Sequence, residues 1–194
     1  MIAGPDGAGK SSLSRALPAA AFAGAPFAHF HHRFGILPQR DNSDVDITRP
    51  QEQRPYPVWL CWVKSIYLFV DYQLGWQLHV RPLVRRGGWV ILERGWWDIA
   101  IDQRRYRMRS SGRLLRALGR LLPRPDLVII LAAPAETLLA RKAEVLSAEL
   151  ERQLEAWRTV LPAGVPRAFI DSSQSPVEMV GAAADSVRRV SCAV

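Results

Sequence analysis

Eight residues near the start of the chain, Gly4-Pro5-Asp6-Gly7-Ala8-Gly9-Lys10-Ser11, fit the spacing G-x-x-x-x-G-K-[ST]. That spacing describes a loop that wraps a polyphosphate. Glycines let backbone N–H groups turn inward with no side chain in the way. A helix starting near Lys10 adds the positive end of its dipole. In this reading Gly4, Gly7, Ala8, Gly9 and Ser12 line the cradle, Lys10 reaches the β- and γ-phosphates, and the Ser11 hydroxyl binds Mg²⁺. A second chemical cluster is Glu93-Arg94, which closes the apolar run Trp89-Val90-Ile91-Leu92. A planar guanidinium binds phosphate bidentately, so Arg94 suits an acceptor phosphate and Arg33 is a second candidate. Glu93 is placed to orient a Mg²⁺ shell or Arg94. Phosphoryl transfer to an anion needs two anions held in line with their repulsion cancelled, not a strong base.

The elements that must hold these groups follow from hydrophobic patterning. Met1-Ile2-Ala3 reads as the end of a short first strand, Ser11–Leu17 as helix with Pro18 near its end, and Pro26–His32 as an alternating strand. Residues 38–57, rich in proline and charge, predict a mobile surface loop. Pro57 opens a helix over 58–80, ending near Pro82. The stretch 87–94 reads as a turn, a buried apolar strand and a charged pair at the strand's carboxyl end; a second apolar strand follows at 125–134, a last strand at 167–173, and helices at 96–122 (in two pieces, broken around Ser110-Ser111-Gly112), 135–143, 147–160 and 176–190. Continuous apolar strands alternating with helices predict an α/β three-layer fold: a five-stranded parallel sheet with helices on both faces, in a single domain over 1–194. Ligands sit at the carboxyl ends of such strands. This gathers Gly4–Ser11, His31, Arg33, Glu93, Arg94 and Asp171 on one edge.

The stretch "GPDGAGKSS" resembles the loop of the thymidylate kinase family, within the P-loop nucleoside monophosphate kinases. The resemblance continues through "VILERGWWD", "PDLVIILAAPAETLLARKAE" and "FIDSSQSPVEMV", in the family's order and over nearly the whole chain. "HFHHRFGILP", "LFVDYQLG" and "RPLVRRGGWVILERGWWDIAIDQRRYR" are similar to a bacterial branch often found beside surface-polysaccharide genes. The resemblance implies a P-loop NTPase fold and a kinase moving the γ-phosphoryl group of Mg-ATP to a nucleoside monophosphate, dTMP by default. It implies that Asp6 meets the acceptor's sugar hydroxyl, that Phe69 stacks on its base, that Ser172 lies in the adenine-side loop, and that Arg141 sits on a lid over about 141–157. Gln73 stands where the family has a base-reading arginine, Glu93 replaces an aspartate, and Gly95 replaces an aromatic residue. A homodimer is also implied, and the apolar 58–80 helix offers a face for it. Arg141, Lys142 and Arg152 are candidates to reach the transferring phosphoryl when a lid closes.

Composition bounds the alternatives. The chain has 194 residues, 48% of them apolar, with a net charge of +8, and lysine occurs only at 10, 64 and 142. This excludes a disordered protein and suits an anionic ligand or an arginine-rich solvated surface. Two cysteines make neither a disulfide framework nor a metal spacing, which points to a reducing compartment, the cytoplasm. The longest apolar run, 58–70, contains Lys64 and is too short to span a membrane. His29 and His31 share a strand face while His32 points away, and no third ligand stands nearby, so they read as cleft-lining polar residues rather than a zinc site. In the run Arg104–Arg120, Arg104 and Arg105 are expected to approach the acceptor. The later arginines form a solvated face or a contact for acidic lipid or polymer. Tyr106 alone gives too little aromatic interleaving for nucleic acid. Three functions stay open: kinase for a nucleotide acceptor, kinase for a sugar or lipid head group, and non-catalytic nucleotide-binding module.

Overall fold

The computed structural model describes residues 1–22, 24–38, 54–108, 112–133 and 147–192. Five strands form one all-parallel sheet: Ile2–Ala3 (β1), Phe27–His31 (β2), Trp89–Glu93 (β3), Val128–Ala132 (β4) and Arg167–Asp171 (β5), in the order β2-β3-β1-β4-β5. The expected α/β three-layer architecture is therefore present. Register brings the carboxyl ends level: Glu93 pairs with both His31 and Ile2, and Ala132 pairs with Asp171. Strand order reverses beside β1, where the glycine loop leaves the sheet, and such a switch point is where a parallel sheet opens a crevice.

Side chains alternate across each strand, so the sheet builds two cores. On one face Ile2, Ile91, Ile129, Leu131 and Ile170 pack with Leu13, Leu17, Met179 and Ala183. Those last four come from the helices Lys10–Ala21 (α1) and, at the chain's far end, Pro176–Ser191. On the other face Ala3, Val128 and Ile130 pack with Cys61, Leu68, Tyr72, Trp96, Trp97, Leu115 and Trp157. These come from Val58–Gly75 (α2), Trp96–Ile101 (α4), Gly112–Leu121 (α5) and Ser147–Thr159 (α6). The element Arg81–Arg85 is α3, and the last helix, Pro176–Ser191, is α7. A reciprocal cap starts α7: Ser175 Oγ accepts from the Glu178 N–H, and the Glu178 carboxylate accepts from the Ser175 N–H at 3.0 Å.

Two helices run past the prolines expected to end them. In α1, Pro18 lies inside the helix and its carbonyl accepts from the Phe22 N–H at 3.0 Å. Proline removes only its own backward bond, and the next turn closes after it. Beyond α2 the chain widens into a π-helical turn over Trp76–Val80, with Arg81 N–H donating to Trp76 O, and then enters α3 with Pro82 in its first turn. The wider turn relieves the clash that a proline ring makes with the preceding turn, so helix continues to Arg85. The 96–122 region is two helices, α4 and α5, separated by turns at 103–107. β1 ends at Ala3 and β5 starts at Arg167 as expected, and the other strand ends fall one to three residues inside the expected bounds. The helix expected at 135–143 and most of the 38–57 loop lie outside the described residues.

The outward side of α2 stays apolar: Trp59 is 67% exposed and Trp62 is 54%. Even so, no helix among the described residues is long and apolar enough to cross a membrane.

Gly119 in α5 packs closely against α4. A Cβ there would lie 2.7 Å from Nε1 of Trp96 and 2.7 Å from Cη2 of Trp97, both buried indoles. Trp96 cannot turn aside without losing its bond to Leu115 O at 2.8 Å. Gly119→Ala is expected to cost roughly 1–3 kcal/mol by overpacking. A lower urea midpoint at unchanged m-value checks this; an unchanged midpoint contradicts it.

Candidate functional site

The glycine loop is shaped by three left-handed or mirror-region glycines, Gly4 (φ 133°), Gly7 (φ 80°) and Gly9 (φ 86°). At Gly4 a side chain is impossible for a second reason, since a Cβ would sit 2.5 Å from Leu131 O on β4. α1 begins directly after Gly9, with no side chain capping its first turn and no acidic residue there. Its positive end therefore faces the loop. Gly7, Gly9, Lys10, Ser11 and Ser12 line an open cavity of about 330 Å³, together with Asp6, His31, Glu93 and Arg94. The predicted cradle and the predicted strand-end cluster thus meet in one cleft. Ala8 is buried behind it.

Glu93 is buried and holds the cleft's floor. Its Oε1 accepts from Ser11 Oγ at 2.6 Å and its Oε2 from Ser14 Oγ at 3.1 Å. His29 Nε2 lies 3.4 Å from Oε2, and His31 Nε2 lies 3.7 Å from Oε1. Burial pushes this carboxyl up, but the Ser11 and Ser14 hydroxyls and the two imidazoles pull harder and hold it below its ordinary value. Glu93 is therefore paired with Ser11, not with its neighbour Arg94. Among the described residues no group of three His, Cys, Asp or Glu side chains is arranged to hold a metal ion. A hydroxyl and a carboxylate oxygen side by side suit Mg²⁺, which keeps most of its waters and takes only one or two protein oxygens.

Arg94 turns the chain at the end of β3 in a left-handed conformation (φ 59°), with its N–H on Ile2 O at 3.1 Å. A non-glycine residue held there stores strain that the surrounding structure must offset. The turn aims the guanidinium at the loop, where it donates to Asp6 Oδ1, while Arg105 donates to Asp6 Oδ2. Lys10 Nζ stands 3.7 Å from the same carboxylate. Burial opposes the charge on Asp6, but Arg94, Lys10 and Arg105 together hold its pKa well below the usual carboxylate range. Asp6 thus gathers three cations at the cleft instead of presenting both oxygens to a sugar.

Lys10 is expected to reach a polyphosphate, and the structure gives its ammonium other partners: Gly4 O at 2.8 Å and Pro5 O at 2.5 Å. A buried ammonium needs acceptors, and the loop's own carbonyls provide them. Burial first, and Arg94 next, push Lys10 down to about 8. Its side chain still lines the cradle cavity.

Behind the Asp6–Arg94 wall lies a second, small cavity of about 20 Å³, room for about one water, lined by Gly4, Pro5, Asp6, Arg94, Asp98, Asp102, Arg105 and Tyr106. Asp98 and Asp102 were not among the residues that patterning singled out. All six residues of α4 are buried, so the helix shows no polar face to draw attention to Asp98. The available signal was a lone carboxylate in "WWDIAI", on the first turn after a strand end. Burial raises Asp98 to about 7, against the pull of Lys10 and Arg94.

Several expected acceptor residues are engaged elsewhere. Arg33 donates to Leu37 O at 2.6 Å and to the buried Asp71 at 3.4 Å, and lies over the Tyr67 ring. It braces the 33–37 segment on α2, because a buried carboxylate there requires a cation and the Gly35 and Leu37 N–H groups. Phe69 packs edge-on to Trp96 at 6.3 Å within the core. Gln73 Nε2 donates to Leu121 O at 3.1 Å, tying α2 to the end of α5. Ser172, whose N–H donates to Ala132 O at 2.7 Å, is buried at the end of β5 and lines neither cavity. Arg152 pairs with Glu149 at 2.5 Å and donates to Ile101 O at 3.0 Å, which docks α6 on α4. Arg104 is exposed, as are Arg113, Arg116 and Arg120, while Arg105 joins the site. Arg141, Lys142 and the first part of the lid segment lie outside the described residues.

His32 stacks on Tyr106 with ring centroids 4.7 Å apart, and burial, followed by His31 and Arg94, pushes its pKa down to about 3. The folded state therefore holds it neutral, while the unfolded chain protonates it below about 6.5. Stability is expected to fall as pH drops through 6.5, by about 2 kcal/mol at pH 5 from this group alone. Urea unfolding of wild type and His32→Phe at pH 7.5 and 5 measures it. An equal pH dependence in both would contradict this assignment.

Compared with known proteins, the chain matches no family model and no curated protein.

Proposed function

We propose that this chain is an ATP-dependent phosphotransferase of the thymidylate kinase type, carrying the γ-phosphoryl group of Mg-ATP to a nucleoside monophosphate, dTMP by default. One observation carries the reading: the glycine cradle and the guanidinium of Arg94, which projects from the end of β3, line one open cavity. A pure nucleotide binder has no need of an anion clamp on the far side of its phosphate loop. The loop N–H groups and the α1 terminus bind the polyphosphate. Lys10 and Arg94 exchange their present partners for phosphoryl oxygens and stabilise charge as transfer proceeds. Ser11 and Glu93 are the residues that would hold Mg²⁺, which when bound neutralises the bridging phosphates. Arg141, on the lid, is proposed to exclude water and reach the transferring group.

A second reading keeps the reaction and changes the acceptor to a sugar or lipid head group. It is favoured by the engagement of Arg33, Phe69 and Gln73 outside both cavities. Coupled ADP release over dTMP, dUMP, UMP, CMP, AMP and sugars separates the two. Turnover with no nucleotide discards the first reading, and ATP binding without any turnover favours a regulatory module. The cytoplasm is proposed as the setting, from the two-cysteine composition. The homodimer implied by the resemblance would cover Trp59 and Trp62 on α2.

A further inference from the structure

Asp6 puts a negative charge inside a loop whose glycines, lysine and helix terminus all favour anions. Its carboxylate lines the open cavity and its side chain is 10% exposed. Three cations meet it: Arg94 on Oδ1, Arg105 on Oδ2, and Lys10 Nζ at 3.7 Å. The fit to Arg94 is incomplete. Only Nη2 of Arg94 donates to Asp6, while Nε is buried and, among the described residues, has no partner. One edge of a guanidinium presents two N–H groups side by side, and an oxyanion takes both at once. Asp6 has one oxygen left for Arg94 because the other is held by Arg105. A phosphate monoester brings three acceptor oxygens and more charge. The two arginines are also placed differently. Arg94 lines the open cavity, whereas Arg105 lines only the small cavity behind it. A ligand entering the cleft therefore meets Arg94 and not Arg105.

We propose that Asp6 competes with the acceptor's phosphate for Arg94, and that Arg105 is the positioning residue that keeps the carboxylate when a phosphate monoester displaces it. The inference rests on the phosphotransferase reading above and says what sets acceptor affinity at that site. Arg94 is open to a ligand only in the fraction of molecules where Asp6 has let go, so the apparent dissociation constant rises as that fraction falls. The competitor also selects. A neutral nucleoside cannot draw the guanidinium away from a carboxylate, and a phosphate dianion can. The low pKa of Asp6 keeps the competitor charged across the neutral range. No covalent bond is made or broken in the exchange.

The test uses the full chain without ATP. Isothermal titration calorimetry compares dTMP, inorganic phosphate and thymidine. Asp6→Asn is expected to bind dTMP and inorganic phosphate about 10-fold tighter than wild type, with thymidine unchanged within about twofold. Arg105→Gln should weaken both phosphates about fivefold, because Asp6 then turns wholly to Arg94. In the Asp6→Asn background the same Arg105 change should have an effect within about twofold of none. Asp102→Asn, which removes a carboxyl from the small cavity but no partner of Arg94, should stay within about twofold of wild type. In wild type, the Arg94 Nε–H signal in ¹⁵N NMR should move when dTMP is added, a readout that needs no variant. Unchanged or weaker phosphate binding in Asp6→Asn overturns the competition, as does equal tightening in Asp102→Asn or an unmoved Arg94 signal at saturating dTMP. A loss from Arg105→Gln of the same size in both backgrounds makes Arg105 a direct phosphate contact and overturns its positioning role. If these binding shifts hold and no phosphoryl transfer to dTMP follows on adding Mg-ATP, the competition stands and the nucleotide-kinase reading falls instead.

Discussion

Lys10→Ala is expected to lower ADP-forming turnover by at least about 10²-fold while the protein stays folded. The size follows from losing one preorganised electrostatic stabiliser in a water-poor site. The fold should survive because Lys10 holds nothing that lacks a second support. Gly4 O and Pro5 O belong to a loop fixed by its glycines and by the close approach of Gly4 to β4, and Asp6 keeps Arg94 and Arg105. The ammonium is itself disfavoured by its surroundings, as its lowered pKa shows. Removing it therefore relieves a desolvation cost as well as losing two hydrogen bonds. Steady-state kinetics beside far-UV circular dichroism and a urea midpoint decide the matter. Normal turnover in a folded Lys10→Ala protein would remove the lysine from the chemistry.

Arg94→Ala is expected to cost at least as much, again about 10²-fold or more in turnover. The reason differs. Arg94 lines the open cavity together with the glycine loop, so its guanidinium can serve the donor phosphate and the acceptor in one step. At present it holds Asp6, and transfer requires it to trade that carboxylate for phosphoryl oxygens. A fork with several N–H donors can make that trade without leaving Asp6 wholly unpaired, because Arg105 remains on the other oxygen. Arg94→Lys should therefore recover little of the lost rate, since an ammonium cannot span both partners. Near-wild-type turnover in either variant would place Arg94 outside the reaction.

The sheet was legible because β3 and β4 are continuous apolar runs, and a run buried on both faces needs no partner to announce it. Glu93 and Arg94 were legible for a related reason: charge directly after such a run must sit at the carboxyl edge. The glycine loop was legible because its backbone, not its contacts, fixes its shape. The remaining contacts are decided through space. Arg33 is claimed by Asp71, thirty-eight positions away, and Gln73 by a carbonyl at the end of α5. Nothing local distinguishes Asp6 as the counter-ion of Arg94 and Arg105, since those arginines lie eighty-eight and ninety-nine positions on. Asp98 was hidden because α4 is buried all round, so the contrast between polar and apolar faces that picks out a site residue is missing. A proline's local cost does not end the helix at Pro18 or at Pro82, because the turns around each close and the packing keeps the helix going.

The central claim is that one cleft receives a polyphosphate on the glycine side and delivers its terminal phosphoryl group past Arg94. A rapid-quench single turnover with γ-³²P-labelled ATP and Mg²⁺, run with the acceptor panel and with water, tests it most directly. The account predicts that the label leaves ATP, that ADP forms in equal amount, and that both events fail in Arg94→Ala while ATP still binds. Label that stays on ATP at saturating nucleotide, in wild type and with every acceptor, would contradict it.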